Sequence, residues 1–136
     1  MLPTLDELRA FMAAAFPQAA LEILAIGDGT AHTRLVVDDS HLRPGGTVSG
    51  PAMMGLADAA TYAALLSRIG IVPLAVTSNL NISFLRRPKA DRAVLASATL
   101  LKAGRRLAVA DVRITSEGDD ELVAHATVTY AIPQAR

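Results

Sequence analysis

Apolar and polar residues alternate through most of the second half of this chain. In "VTSNLNISF", Val76, Leu80, Ile82 and Phe84 interleave with Thr77, Asn79, Asn81 and Ser83. In "ELVAHATVTY", Leu122, Ala124, Ala126, Val128 and Tyr130 share one face. A two-residue period predicts strands with one side buried. "AVLASATLL" and "RLAVADVRIT" read as two more strands, joined at "KAGR" by a hairpin connection containing Gly104, and polar "SEGDD" leads into the last strand. Upstream, "LEILAIGDGTAHTRLVVDD" predicts another hairpin, turning at Gly27 to Thr30.

Two stretches break this rhythm. Near the start, Leu8, Phe11, Met12 and Ala15 fall on one side of a short amphipathic helix within a helical segment over residues 1–19. Its early charges are acidic, Asp6 and Glu7, with no basic n-region, so it does not read as a signal peptide. The second stretch, Pro51 to Ser67, is apolar nearly all round and predicts a helix buried on most of its surface. Pro51 suits a first helical position, Gly50 can serve as N-cap, and the helix runs to Ser67 or Ile69 before stopping at Gly70. The order is helix, two strands, one long buried helix, four strands. Short connections among the last strands favour antiparallel pairing. The predicted fold is therefore α+β, an antiparallel sheet wrapped around one long central helix, in a single domain over residues 1–136. Such a sheet leaves one face uncovered, which invites a second subunit.

Composition narrows the function. Thirteen basic and thirteen acidic residues give no argument for nucleic acid or an anionic membrane surface. Cysteine is absent, which excludes disulfides and thiolate chemistry and fits a reducing, cytoplasmic setting. No apolar run is both long and charge-free enough to span a bilayer. One charge stands out. From Pro51 to Ser67 the only charged side chain is Asp58. A lone carboxylate in an apolar helix costs free energy unless it is paired or hydrogen-bonded. About two turns past the helix start, it is too far along to be an N-cap. It is either a buried Asp satisfied locally or a functional carboxylate.

The stretch "GGTVSGPAMMGLADAATYAAL", followed by "VTSNLNISFLRRPK", resembles the hot-dog-fold acyl-CoA thioesterases, especially the phenylacetic-acid-degradation type. The resemblance spans roughly residue 20 to the C-terminus. It implies hydrolysis of an acyl-CoA, or a related acyl thioester, with coenzyme A as part of the substrate and no metal or other cofactor. By position, Asp58 matches the family's catalytic carboxylate, acting as general base or as nucleophile. Gly50 matches the residue whose N–H polarises the thioester carbonyl, and Thr77 falls where a Ser or Thr often orients the water or the carboxylate. Ser49 stands in place of the usual His, Pro51 replaces the second Gly, and Arg43 stands where many members have Asn or Gln. Ser49 and Arg43 are thus expected at the substrate without the family's usual chemistry, and Pro51 has no N–H to donate. An obligate homodimer, alone or paired into a dimer of dimers, is also implied.

The remaining candidates are weaker. "GTVSGP" lacks the Gly-x-Ser-x-Gly pattern, so Ser49 does not read as a nucleophile. His32, His41 and His125 lack metal-ligand spacing; His41 alone sits in the loop before the long helix. Positive charge clusters from Arg86 to Arg106, with Arg86, Arg87, Lys89, Arg92, Lys102, Arg105 and Arg106 against the single acid Asp91. These side chains are either solvated strand ends or a rim for the phosphates of coenzyme A, with Arg86, Arg87 and Lys89 the chosen contacts. No aromatic residue is interleaved with them, which argues against single-stranded nucleic acid. Two rivals to the thioesterase reading stand: a hydratase or dehydratase of the same fold, which would want a His where Ser49 stands, and a non-catalytic acyl-CoA-binding domain.

Overall fold

The alternating segments become six strands of one sheet in a computed structural model that describes residues 2–17 and 21–134. After α1 (Leu5–Ala15) come β1 (Glu22–Gly27) and β2 (Thr30–Leu35), then a short 3-10 turn (Asp39–His41) and α2 (Gly50–Ile69). β3 (Val76–Phe84), β4 (Val94–Ala103), β5 (Leu107–Ser116) and β6 (Leu122–Ala131) follow. Every neighbouring pair is antiparallel, in the order β1-β2-β4-β5-β6-β3. The chain after α2 therefore starts at the far edge, and among the described residues β3 has a partner, β6, on one side only. The fold is the hot-dog fold. The part of the expected 1–19 helical segment at Met1 and residues 18–19 lies outside the described residues.

α2 lies on the inner face of this sheet because both surfaces are small and apolar. Ala57, Ala60, Ala63, Ala64, Leu65 and Leu66 are buried on the helix. Across from them stand rows of sheet alanines, among them Ala96, Ala98, Ala110, Ala124 and Ala126, all buried. Small side chains on both sides allow close approach, and the larger Val112, Ile114 and Val128 fill between them. Leu65 and Leu66 are fully buried, so truncating either to Ala should cost about 2–5 kcal/mol. Leu8 and Met12 of α1 join the same core, with Phe11 packed beside them.

Two expectations need correction. The N-cap of α2 is Ser49, whose hydroxyl accepts from the Ala52 N–H; Gly50 is the first helical residue and Pro51 the second. Ser outranks Gly as a cap because it brings an acceptor oxygen to an otherwise unpaired N–H. The second concerns β3. Its alternation places Thr77 with Asn79, Asn81 and Ser83, yet Thr77 pairs with Tyr130 and Asn79 with Thr129. Ser78 is thus the extra residue of a β-bulge, and it turns Thr77 to the helix-facing side with Leu80 and Ile82. The C-terminal limit of α2 is as expected: Gly70, at φ 90°, closes the helix with its N–H on the Leu66 carbonyl. Among the described residues, no helix is long and apolar enough to cross a membrane.

Candidate active site

Asp58 lies in the middle of α2, half-buried, and its carboxylate is held by the sheet. Oδ1 accepts from the Thr77 hydroxyl on β3 and, at 2.9 Å, from the Tyr130 hydroxyl on β6. Tyr130 also reaches the Asp58 carbonyl at 3.2 Å. The three residues meet because the Ser78 bulge turns Thr77 inward opposite Tyr130, the last inward position of β6. Behind Tyr130 the ring of Tyr62 stacks at 5.7 Å, and the Tyr62 hydroxyl is anchored on the Pro73 carbonyl at 3.2 Å. Burial pushes the Tyr130 phenol well above the usual tyrosine range, and the nearby Asp58 charge adds to this, while the Thr77 hydroxyl opposes it. Tyr130 therefore stays protonated, a fixed donor to the carboxylate.

Both hydroxyls point at one oxygen. Among the described residues no donor reaches Oδ2, so this is the lone-pair-bearing atom left to accept a proton or attack a carbon. Asp58 borders two cavities, one of about 270 Å³ with His41, Leu35 and Leu56, the other of about 500 Å³ with Thr77, Tyr62 and Tyr130. Such mostly apolar hollows with a few convergent polar groups suit a small organic ligand.

Gly50 belongs to a different hollow. Eight residues from Asp58 on the same helix, it is roughly 12 Å away. It lines a cavity of about 390 Å³ with Arg43, Arg86 and Arg87, and this cavity excludes Asp58. Its N–H has no hydrogen-bond partner among the described residues, as is usual in a first helical turn, while Ser49 takes the N–H groups of Ala52 and Met53. A free N–H at a helix start favours an anion. The Phe84 ring lies so close that a Cβ at position 50 would meet it at 3.3 Å, which explains a glycine there.

The expected basic rim divides in space. β4 separates Arg92 from Lys102 by its whole length, roughly 30 Å, so Lys102, Arg105 and Arg106 belong to the other end of the sheet. Near Gly50, Arg86 is ion-paired with Glu121, and Lys89 stands 3.7 Å from Asp119 beside a neighbouring groove. Arg43 and Arg87 have no carboxylate within ion-pair distance among the described residues. Of the histidines, His41 lines an Asp58 cavity, but its Nδ1 accepts from the Asp38 N–H. His32 contacts Ser97, and His125 contacts Asp111 at 2.5 Å, both outside these cavities. Sequence reasoning missed Tyr130. The signal available was that a buried tyrosine needs a partner for its hydroxyl, and Tyr130 ends the inward row of β6.

A family model of the thioesterase superfamily matches residues 45–123, more than half of the chain, from the loop before α2 into β6. The chain belongs to the thioesterase superfamily. Among solved structures, a candidate thioesterase from a Silicibacter species is 46% identical over 96% of this chain and 92% of that one, with a TM-score of 0.88. A variant of the phenylacetic acid degradation protein PaaI from Thermus thermophilus is 31% identical, covering 91% of this chain and 99% of that one at a TM-score of 0.74. A hypothetical thioesterase from Streptococcus pneumoniae, solved with coenzyme A, is 25% identical over 98% and 99% of the two chains, with a TM-score of 0.78. Comparison with curated protein sequences finds no match.

Proposed function

We propose that this protein is an acyl-CoA thioesterase of the phenylacetic-acid-degradation type, with Asp58 as its catalytic carboxylate. The observation that carries the reading is the Asp58 carboxylate held at Oδ1 by Thr77 and Tyr130, with Oδ2 left for chemistry beside apolar cavities. As general base, Oδ2 takes a proton from a water whose oxygen attacks the thioester carbon. The tetrahedral oxyanion collapses, the C–S bond breaks, and the proton passes from Asp58 to the leaving thiolate. As nucleophile, the same oxygen bonds the carbonyl carbon, expels the thiolate, and the resulting anhydride is opened by water. Either route leaves an acid and a thiol.

The Gly50 N–H is the oxyanion donor in this reading, supplied by a second copy of the chain. Donor and attacking group must both lie within ~3 Å of one carbonyl, whereas one chain holds them roughly 12 Å apart on a single helix. The one-sided edge of β3, with Val76 and Phe84 exposed on it, supports pairing of two sheets about a two-fold axis. Arg43 and Arg87, beside Gly50, face the phosphates of coenzyme A. The Streptococcus relative solved with coenzyme A supports that choice of carrier. The test is a panel of acyl-CoA thioesters assayed for released thiol. Asp58→Asn, shown to be folded, should lower kcat on the best of them by about 10²–10⁴. A folded variant with wild-type rate would remove Asp58 from the mechanism.

A further inference from the structure

The two cavities at Asp58 have one other residue in common, Phe16, which follows the last turn of α1. Its ring stands edge-on to Tyr62 at 6.1 Å, and Tyr62 in turn backs Tyr130. Phe16 therefore lies where the two cavities adjoin and is braced against the aromatic pair that supports the carboxylate. The smaller cavity runs along α2 past Ala52, Gly55 and Ala59, with Leu21, Leu35 and Leu56 around it. Gly55 leaves space there: a Cβ added at this position would meet no atom of the described residues within 4 Å. Among the described residues, its polar lining besides Asp58 is His41, already engaged by Asp38.

A thioester whose carbonyl carbon lies against Oδ2 must send its acyl group into one of these hollows. The smaller is the better apolar match, since the larger presents the hydroxyl-bearing Thr77, Tyr62 and Tyr130. Each methylene moved from water into such a wall raises affinity by about fourfold, until the chain meets an obstacle. We propose that the smaller cavity takes the apolar acyl group and that Phe16, on the wall shared with the larger cavity, is the specificity-determining residue that limits its length. This assignment rests on the thioesterase reading of Asp58 and adds the class of acyl group to it. Removing the Phe16 ring joins the two cavities and admits longer chains; filling the space at Gly55 shortens the chamber.

The experiment uses Phe16→Ala and Gly55→Leu, each checked for folding by circular dichroism and thermal melting. Saturated acyl-CoA substrates from butyryl to palmitoyl are compared by kcat/KM. Non-hydrolysable alkyl-CoA thioethers of matching lengths are compared by calorimetric affinity. The expected result is a chain-length limit that moves to longer chains in Phe16→Ala and to shorter chains in Gly55→Leu, in both measurements. The ratio of longest to shortest chain should change by roughly tenfold or more in each direction, the equivalent of about two methylenes. Unchanged profiles, or shifts of the same sign in both variants, overturn the proposal. If Phe16→Ala does not fold, Phe16→Leu and Gly55→Leu decide by the same criterion. Thioether binding separates the two claims: absent hydrolysis with length-dependent thioether binding sinks the thioesterase reading and keeps the chamber, whereas hydrolysis with a fixed length profile does the reverse.

Discussion

Tyr130 and Asp58 are 72 residues apart in sequence, yet the phenol of one donates to Oδ1 of the other at 2.9 Å and to its main-chain carbonyl at 3.2 Å. The contact ties the end of β6 to the middle of α2. With Thr77 bound to the same oxygen, the carboxylate is fixed in rotation about its own axis, so that Oδ2 has a single direction. The half-buried charge is thus satisfied on one side and available on the other.

Thr77→Val and Tyr130→Phe each delete one of these donors with little change in shape. A hydrogen bond to a charged group contributes about 1.5–3 kcal/mol, so each variant should lower kcat on an acyl-CoA by about 10- to 100-fold. The double variant should fall by more than the product of the two, because either hydroxyl alone still orients the carboxylate. Steady-state kinetics on the four proteins decides it. A double variant no slower than the poorer single would remove the second hydroxyl from Asp58's support.

Tyr130 also sets a pH dependence. Burial, reinforced by the Asp58 charge, raises its pKa above the ordinary value of 10.0. The unfolded chain then releases the phenol proton near pH 10 while the native state keeps it, so unfolding is favoured as pH rises. The stabilisation is complete below pH 10 and is lost as pH climbs toward the raised native value. Denaturant melts between neutral pH and pH 11 should therefore show a steeper loss of stability in the wild type than in Tyr130→Phe. Parallel curves would mean that Tyr130 is not the group responsible.

What could be read from the sequence follows from the range of the interactions involved. α2 and its stop at Gly70 were legible because a nearly uniform apolar run and a glycine are local signals. Asp58 was legible as the one charge within that run. Its N-cap was misplaced by one residue, since Ser49 and Gly50 can both begin a helix whose second residue is proline or whose first is. The resemblance points to Thr77, but the alternation of β3 puts it on the face opposite to the one it occupies. A bulge at Ser78 is a matter of register with β6, and nothing within β3 announces it. The Asp58–Tyr130 contact is longer in range still, because the sheet order puts β3 beside β6 rather than beside β4. The division of the basic cluster, by contrast, was available: the strand predicted between Arg92 and Lys102 already implied the separation.

The arginines differ in what already neutralises them. Arg86 is paired with Glu121, whereas Arg43 and Arg87 line the Gly50 cavity without a paired acid among the described residues. Arg43→Ala and Arg87→Ala should each raise KM for an acyl-CoA by roughly tenfold and leave kcat near wild type. Loss of a phosphate contact removes binding shared by ground and transition states. An acyl thioester of N-acetylcysteamine, which lacks the nucleotide, should be unaffected. Equal changes on both substrates would give these side chains a structural role instead.

The shared-site reading makes a quantitative prediction about mixed dimers. Asp58→Ala removes the carboxylate, and Gly50→Pro removes the N–H at a first helical position where proline is tolerated. The proline ring will press on Phe84, which lies at 3.3 Å from a Cβ there, so folding of this variant is checked first and Phe84→Leu is added if it fails. Each variant alone should be nearly inactive. After equal amounts are unfolded and refolded together, half the dimers are mixed, and each mixed dimer has one intact site and one doubly damaged site. Random assortment then restores about a quarter of wild-type activity per dimer, and purified heterodimers, isolated with two different affinity tags, about half. Recovery to these levels requires that Asp58 and Gly50 of different chains act on the same thioester. Heterodimers that form but stay inactive would place both groups in a site within one chain, against the roughly 12 Å of helix that separates them.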